Sequence, residues 1–185
     1  HGSVDPVVLT IERGALKCAL QRPDLAGPLF DSLDVEAFVS PVHRIVKQAI
    51  AAAGGCASAS PDVTWVEAVS ASAPDDGYRR LVSAFAVDPV PSSDEALPRY
   101  VSEVVLRLHE QWVARQVAAV KGRLQRTDPA AQPDEYKRLR RELTGLEAAI
   151  KDSKRFKDEP GYWAYFSFGH KYPLKAEVAK GAVAS

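Results

Sequence analysis

PRYVSEVVLRLHEQWVARQVAAVKGRLQRTDPAAQPDEYKRLRRELTGLEAAIKDSKR, residues 98–155, is the stretch whose reading decides the fold. Leu106, Val113, Val117, Val120 and Leu124 recur at spacings of seven, four, three and four. Tyr136, Leu139, Leu143, Leu146 and Ile150 recur at three, four, three and four. Each set is an apolar seam on a helix. Between them Asp128-Pro129-Ala130-Ala131-Gln132-Pro133 leaves room only for an antiparallel return. The spacing therefore predicts a helical hairpin, whose first arm spans about 45 Å. That arm outruns the second, so Tyr100, Val101, Val104 and Val105 at its base need cover from elsewhere, and the preceding lobe is expected to supply it.

Upstream, short helices follow one another, each marked by caps and prolines. Asp5-Pro6 opens the first, whose apolar face holds Val8, Ile11, Ala15 and Cys18, and Pro23 closes it. Gly27-Pro28 breaks the next segment. Ser40-Pro41 opens a helix that Gly54-Gly55 ends. Ser60-Pro61 reads as the same start signal, and Asp75 or Asp76 caps a helix carrying Tyr78, Leu81, Val82 and Phe85. Asp88 to Ser93 reads as a linker, with Ser92 and Glu95 set as a capping box. No stretch alternates with period two, so no sheet is expected. The expected class is all-α, with a multi-helix bundle over 4–90, a long antiparallel hairpin over 91–155 and a tail over 156–185.

The chain has 185 residues, with 24 basic and 24 acidic side chains. That balance hides an asymmetry: residues 4–96 carry 7 basic and 13 acidic groups, whereas 97–155 carry 13 and 8. The hairpin is the basic part. No apolar run approaches membrane-spanning length. His1-Gly2-Ser3 and the lack of any Met lead us to expect a piece cut from a larger protein. In the tail, residues 162–172 hold six of the 15 aromatics, which fits a satellite core, a partner-binding segment or a foreign addition.

Little in the sequence points to chemistry. His1, His43, His109 and His170 make no ligand pair on one helix face, and Cys18 and Cys56 have no CxxC partner. No catalytic residue, metal ligand or cofactor is expected. A thiol enzyme would use Cys18 with His43 as base, yet Cys18 lies on an apolar face, where a buried structural thiol is the plainer reading. Lys137, Arg138, Arg140 and Arg141 read first as a solvated helix face. As a functional surface they suit an acidic protein partner. Nucleic acid is the alternative, but Glu142 and Glu147 interrupt the charge and no aromatic platform is interleaved, so direct binding should be weak or absent.

One run is similar to a known family. Glu12-Arg13-Gly14-Ala15-Leu16-Lys17-Cys18-Ala19-Leu20-Gln21-Arg22-Pro23-Asp24-Leu25-Ala26 resembles the opening of the C-terminal domain of bacterial DnaG-type primases. Leu33 to Phe38, His43-Arg44-Ile45-Val46, and Leu139-Arg140-Arg141-Glu142-Leu143 with Leu146 and Ile150 follow in the family's order. The resemblance covers about residues 5–155; Glu12 and the aromatic tail depart from the pattern.

The resemblance implies a non-catalytic module of a replication protein in the cytoplasm, a bundle plus hairpin that docks on the N-terminal domain of the replicative helicase. Tyr136, Arg140, Arg141 and Leu143 are the residues expected to carry that docking. The resemblance also implies contact with the acidic tail of single-stranded-DNA-binding protein, through Arg13, Leu16 and Lys17.

Overall fold

The computed structural model of the chain describes residues 5–155. The expectations for His1-Gly2-Ser3 and for the aromatic tail lie outside these residues. Seven helices are described: α1 Pro6–Gln21, α2 Pro23–Asp31, α3 Pro41–Ala52, α4 Val63–Ala71, α5 Asp76–Val87, α6 Leu97–Arg126 and α7 Pro133–Arg155. Single 3-10 turns stand at Val35–Ala37 and Cys56–Ser58. No strand occurs among the described residues. The chain divides into two compact units between Trp112 and Val113.

The N-terminal unit is built on α1. Residues Ala15 through Leu20 are all buried, so the helix is enclosed on every side there. It packs on α2, α3 and α5, and its core neighbours include Phe30, Phe38, Val46, Ile50, Val82 and Phe85. The first half of α6 belongs to this unit and closes over α1: a Cβ added at Gly14 would stand 3.1 Å from Val104 Cγ2 and 3.5 Å from the Tyr100 hydroxyl. Val101 and Val105 are buried. The long arm's base is thus covered by the lobe, as its surplus of apolar residues requires.

Local chemistry explains where these helices begin and end. The Asp5 carboxylate accepts from Val7 N at 2.9 Å, and Asp75 accepts from Gly77 N and Tyr78 N at 2.8 and 3.1 Å. The Ser40 hydroxyl accepts from His43 N at 3.4 Å. The backbone leaves helical geometry at Gly27, directly ahead of Pro28. Gly54 and Gly55, both at positive φ, end α3, and Gly55 lets the Asp31 carboxylate approach to accept from Cys56 N and Ala57 N at 2.8 Å each.

Two expected start signals are corrected. The cap of α4 is Asp62, which accepts from Thr64 N at 2.9 Å and Trp65 N at 3.3 Å, rather than Ser60-Pro61. A carboxylate two residues later reaches the first free N–H groups, and Pro61 falls outside the helix. Ser92 and Glu95 form no capping box; α6 begins only at Leu97, and the Ser93 hydroxyl meets Ala96 N at 3.4 Å.

The C-terminal unit holds the rest of α6 and α7, an antiparallel pair. Lys121 pairs with Glu147 at 3.1 Å and Arg123 with Glu135 at 3.0 Å, so positions further along α6 meet positions earlier on α7. Val113, Val120 and Leu139 are buried, and Val117, Leu124, Tyr136, Leu143, Leu146 and Ile150 are half-buried. The two apolar seams therefore share the inner side. Leu106, read from the sequence as part of the seam, belongs to the N-terminal unit instead. In the turn, Asp128 accepts from Ala130 N through its carboxylate and from Gln132 N through its carbonyl, each at 2.8 Å. Pro133 then starts α7, with Asp134 and Glu135 in its first turn, where the helix dipole favours acids.

Candidate partner-docking surface

Tyr136 and Arg140 stand four residues apart on α7, as do Lys137 and Arg141, so the four side chains fall on adjoining rows of one helix face. They line an open cleft of about 580 Å³. The Arg141 guanidinium reaches back to donate to the Lys137 carbonyl at 3.4 Å, which lays the Arg141 side chain along its own helix. Leu143, the fourth residue expected at this surface, does not line the cleft; it is half-buried on the seam side. Lys137 takes its place. Its signal was in the sequence, beside Tyr136 and one turn before Arg141, but a long basic run hides which members converge.

The charges around the cleft are unequally placed. Glu135 is held by Arg138 at 2.6 Å and by Arg123 at 3.0 Å, and these contacts, Arg138 first, keep its carboxyl below the usual carboxylate range. Glu147 is taken up by Lys121. Lys137, Arg140 and Arg141 meet no carboxylate at ion-pairing distance among the described residues. Three exposed cations thus line the same cleft as Tyr136 with no ion-pairing carboxylate among the described residues. An arginine fork and a phenol hydroxyl can hold carboxylates in defined geometry, and the ring offers an apolar anchor.

The other expected contact set looks different. Leu16 is wholly buried and offers no surface to an acidic tail. Lys17 Nζ donates to the Pro89 carbonyl at 2.6 Å and pairs with Asp88 at 3.3 Å, with its side chain only 10% exposed. Arg13 is half exposed, yet it pairs with the same Asp88 at 2.7 Å and stacks 5.4 Å over the Phe85 ring. The three residues share a neighbourhood without forming one exposed apolar-plus-basic surface. The core took the leucine, and an internal carboxylate already answers both cations.

Glu12, which departs from the primase pattern, is fully buried. Its carboxylate accepts from Val39 N, from Ser40 N at 3.2 Å and from His43 Nδ1 at 2.7 Å. Burial alone would raise its pKa, but the hydrogen bonds from His43, Val39 and Ser40 outweigh that and hold it low. His43 therefore faces Glu12 and not a thiol. Burial pushes the Cys18 thiol up to about 12, which removes the reactive thiolate. Lys47 is buried too, its ammonium donating to the Phe30 carbonyl at 2.9 Å and lying 4.4 Å over the Phe30 ring. Among the described residues no cluster of three metal-ligating side chains occurs, and no helix is long and apolar enough to cross a membrane.

Comparison with known proteins agrees with this architecture. The family described as DNA primase DnaG DnaB-binding matches residues 12–139. A DNA primase of Mycolicibacterium smegmatis is 42% identical over 147 residues, which is 78% of this chain and 23% of that protein. A DNA primase of Streptomyces coelicolor is 34% identical over 146 residues, 75% of this chain and 22% of that protein. The chain thus spans between a fifth and a quarter of the length of these curated relatives. A solved structure described as the helicase binding domain of primase from Mycobacterium tuberculosis superposes with a TM-score of 0.67 at 36% identity, covering 90% of this chain and 99% of that one. The matched stretch takes in well over half of the chain, and the chain belongs to the DnaB-binding family of DnaG primase domains.

Proposed function

We propose that this chain is a non-catalytic docking module that binds the N-terminal domain of a replicative helicase and so holds a DNA primase at the replication fork in the cytoplasm. The observation that carries the reading is the α7 cleft, lined by Tyr136, Lys137, Arg140 and Arg141, whose three cations meet no carboxylate at ion-pairing distance among the described residues. Leu143 supports the surface from the seam side, keeping α7 in place. Docking needs no cofactor. Its effect is to raise the local concentration of a linked polymerase active site where single-stranded template emerges.

Charge reversal tests this directly. The variant Arg140→Glu with Arg141→Glu should bind the helicase N-terminal domain about a hundredfold more weakly, roughly 2.7 kcal/mol. Both side chains are exposed, so thermal unfolding should stay within a degree or two of the parent chain. Full retained affinity by isothermal titration calorimetry would overturn the assignment of these residues.

A further inference from the structure

The charges of α7 sort by side. Counted from Tyr136 at about 100° per residue, the charged side chains between Glu135 and Ile150 fall into two sets. Glu147, Arg140, Lys137 and Arg141 stand at about +20° to +140°, and Glu135, Glu142 and Arg138 at about −100° to −160°. Leu139, Leu143, Leu146 and Ile150, buried or half-buried on the seam, lie between the two sets. The second side is taken up by the fold. Glu135 holds Arg138 at 2.6 Å and Arg123 of α6 at 3.0 Å, which ties the two arms together there. Glu142, one turn beyond Arg138, adds its attraction to that of Glu135.

The first side is the one that carries the cleft. The single carboxylate of its set, Glu147, is met by Lys121 of α6 at 3.1 Å. Both side chains are about half exposed, and an exposed pair adds little stability. What the pair changes is the surface. It neutralises the one acid that shares a side with Lys137, Arg140 and Arg141. Glu147 stands seven residues beyond Arg140, about 10 Å along the axis and close to one screening length at physiological salt. Left unmasked, its charge would be felt by an acidic group docked at the cleft.

We infer, resting on the helicase-docking reading, that the partner docks on the Tyr136–Arg140 side of the hairpin and not on the Glu135–Arg138 side. It presents an acidic segment there, and Lys121 keeps that side open to acid by masking Glu147. Lys137, Arg140 and Arg141, which meet no carboxylate at ion-pairing distance among the described residues, supply the attraction. Lys121 acts through Glu147, so α6 shapes the charge of a surface lined by α7. A nucleic-acid strand fits less well. The unpaired cations span little more than one turn, and one tyrosine is the sole aromatic of the cleft.

The test titrates the N-terminal domain of the replicative helicase, and separately a single-stranded oligonucleotide, into this chain and its variants. Glu147→Lys and Glu142→Lys make the same charge change on one helix, on opposite sides. Glu147→Lys should tighten the helicase Kd about fivefold, and Glu142→Lys should move it less than about twofold. Lys121→Ala, which unmasks Glu147, should weaken binding about threefold, and Lys121→Ala with Glu147→Ala should restore the parent Kd. These differences should shrink in about 0.5 M NaCl. Equal tightening by both lysine variants overturns the choice of side and leaves helicase docking standing. Unchanged or weaker binding in Glu147→Lys overturns the acidic segment, and parent-like affinity in Lys121→Ala overturns the masking. If the parent chain fails to bind the helicase domain at all, the docking reading falls and takes this one with it. An oligonucleotide that binds the parent more tightly than the helicase domain does, and follows the same variants, assigns this side to nucleic acid and overturns the inference.

Discussion

In α1, Glu12 and Lys17 are buried, and each is answered from within the chain: Glu12 by Val39, Ser40 and His43, Lys17 by Asp88 and Pro89. In α7, Lys137, Arg140 and Arg141 are exposed and have no internal counter-charge among the described residues. Read as sequence, the two helices look alike, each with basic residues beside apolar ones. The difference is one of dielectric. A charge enclosed in the bundle must be paired where it stands, because an orphan there costs several kcal/mol. A charge on the outer face of a hairpin is solvated at little cost and stays available to a partner.

That contrast can be broken most severely at Glu12. Glu12→Ala would leave two N–H groups and one imidazole nitrogen without their acceptor in the core, and should cost about 3–5 kcal/mol in urea denaturation. A loss under about 1 kcal/mol would mean that the pocket takes in water and that α1 is less enclosed than described. Helicase affinity of the remaining folded fraction should be unchanged, since the proposed docking face lies on α7.

Acid should affect the N-terminal unit next. Burial pushes the His109 imidazole down to about 4 from an ordinary 6.5. The folded state keeps it neutral while the unfolded chain takes up a proton. The stability it contributes is therefore fully present above about pH 6.5 and is lost as pH falls towards 4, about 3 kcal/mol in all. Glu12, with its depressed pKa, loses stability in the same direction on acidification. Chemical denaturation at several pH values, repeated with His109→Leu, should show the acid loss reduced in the variant; an unchanged profile would remove His109 from the account.

The smallest effect should come from the cross-link Lys121–Glu147, whose side chains are 52% and 46% exposed. Glu147→Ala should change stability by no more than about 0.5 kcal/mol. A loss of several kcal/mol would show that hairpin charges are as tightly coupled as bundle charges, and would erase the contrast.

Much of the architecture was legible because helix signals are local. Asp5-Pro6, Ser40-Pro41 and Asp75 marked real starts, Gly54-Gly55 a real stop, and Asp128 to Pro133 the return of the hairpin. The start of α4 was misread, because Ser60 and Asp62 are both good caps and only the folded chain shows which one reaches free N–H groups. Of the residues expected to dock, Tyr136, Arg140 and Arg141 line the cleft, Tyr136 and Arg140 being i,i+4 neighbours and Arg141 the i,i+4 neighbour of Lys137, which the run concealed. Leu16 and Lys17 could not be placed from the sequence, since their burial depends on Pro89 and Asp88 more than 70 residues away.

The sequence by itself determined the helices, the antiparallel hairpin and the uneven distribution of charge, because periodicity, caps and turn residues act over a few positions. Tertiary structure alone decided which charges are structural and which are free. Glu12, Lys17 and Lys47 carry no local mark that separates them from Lys137, Arg140 and Arg141. What separates them is burial and the presence of a distant partner, and both come into being only when the chain closes on itself.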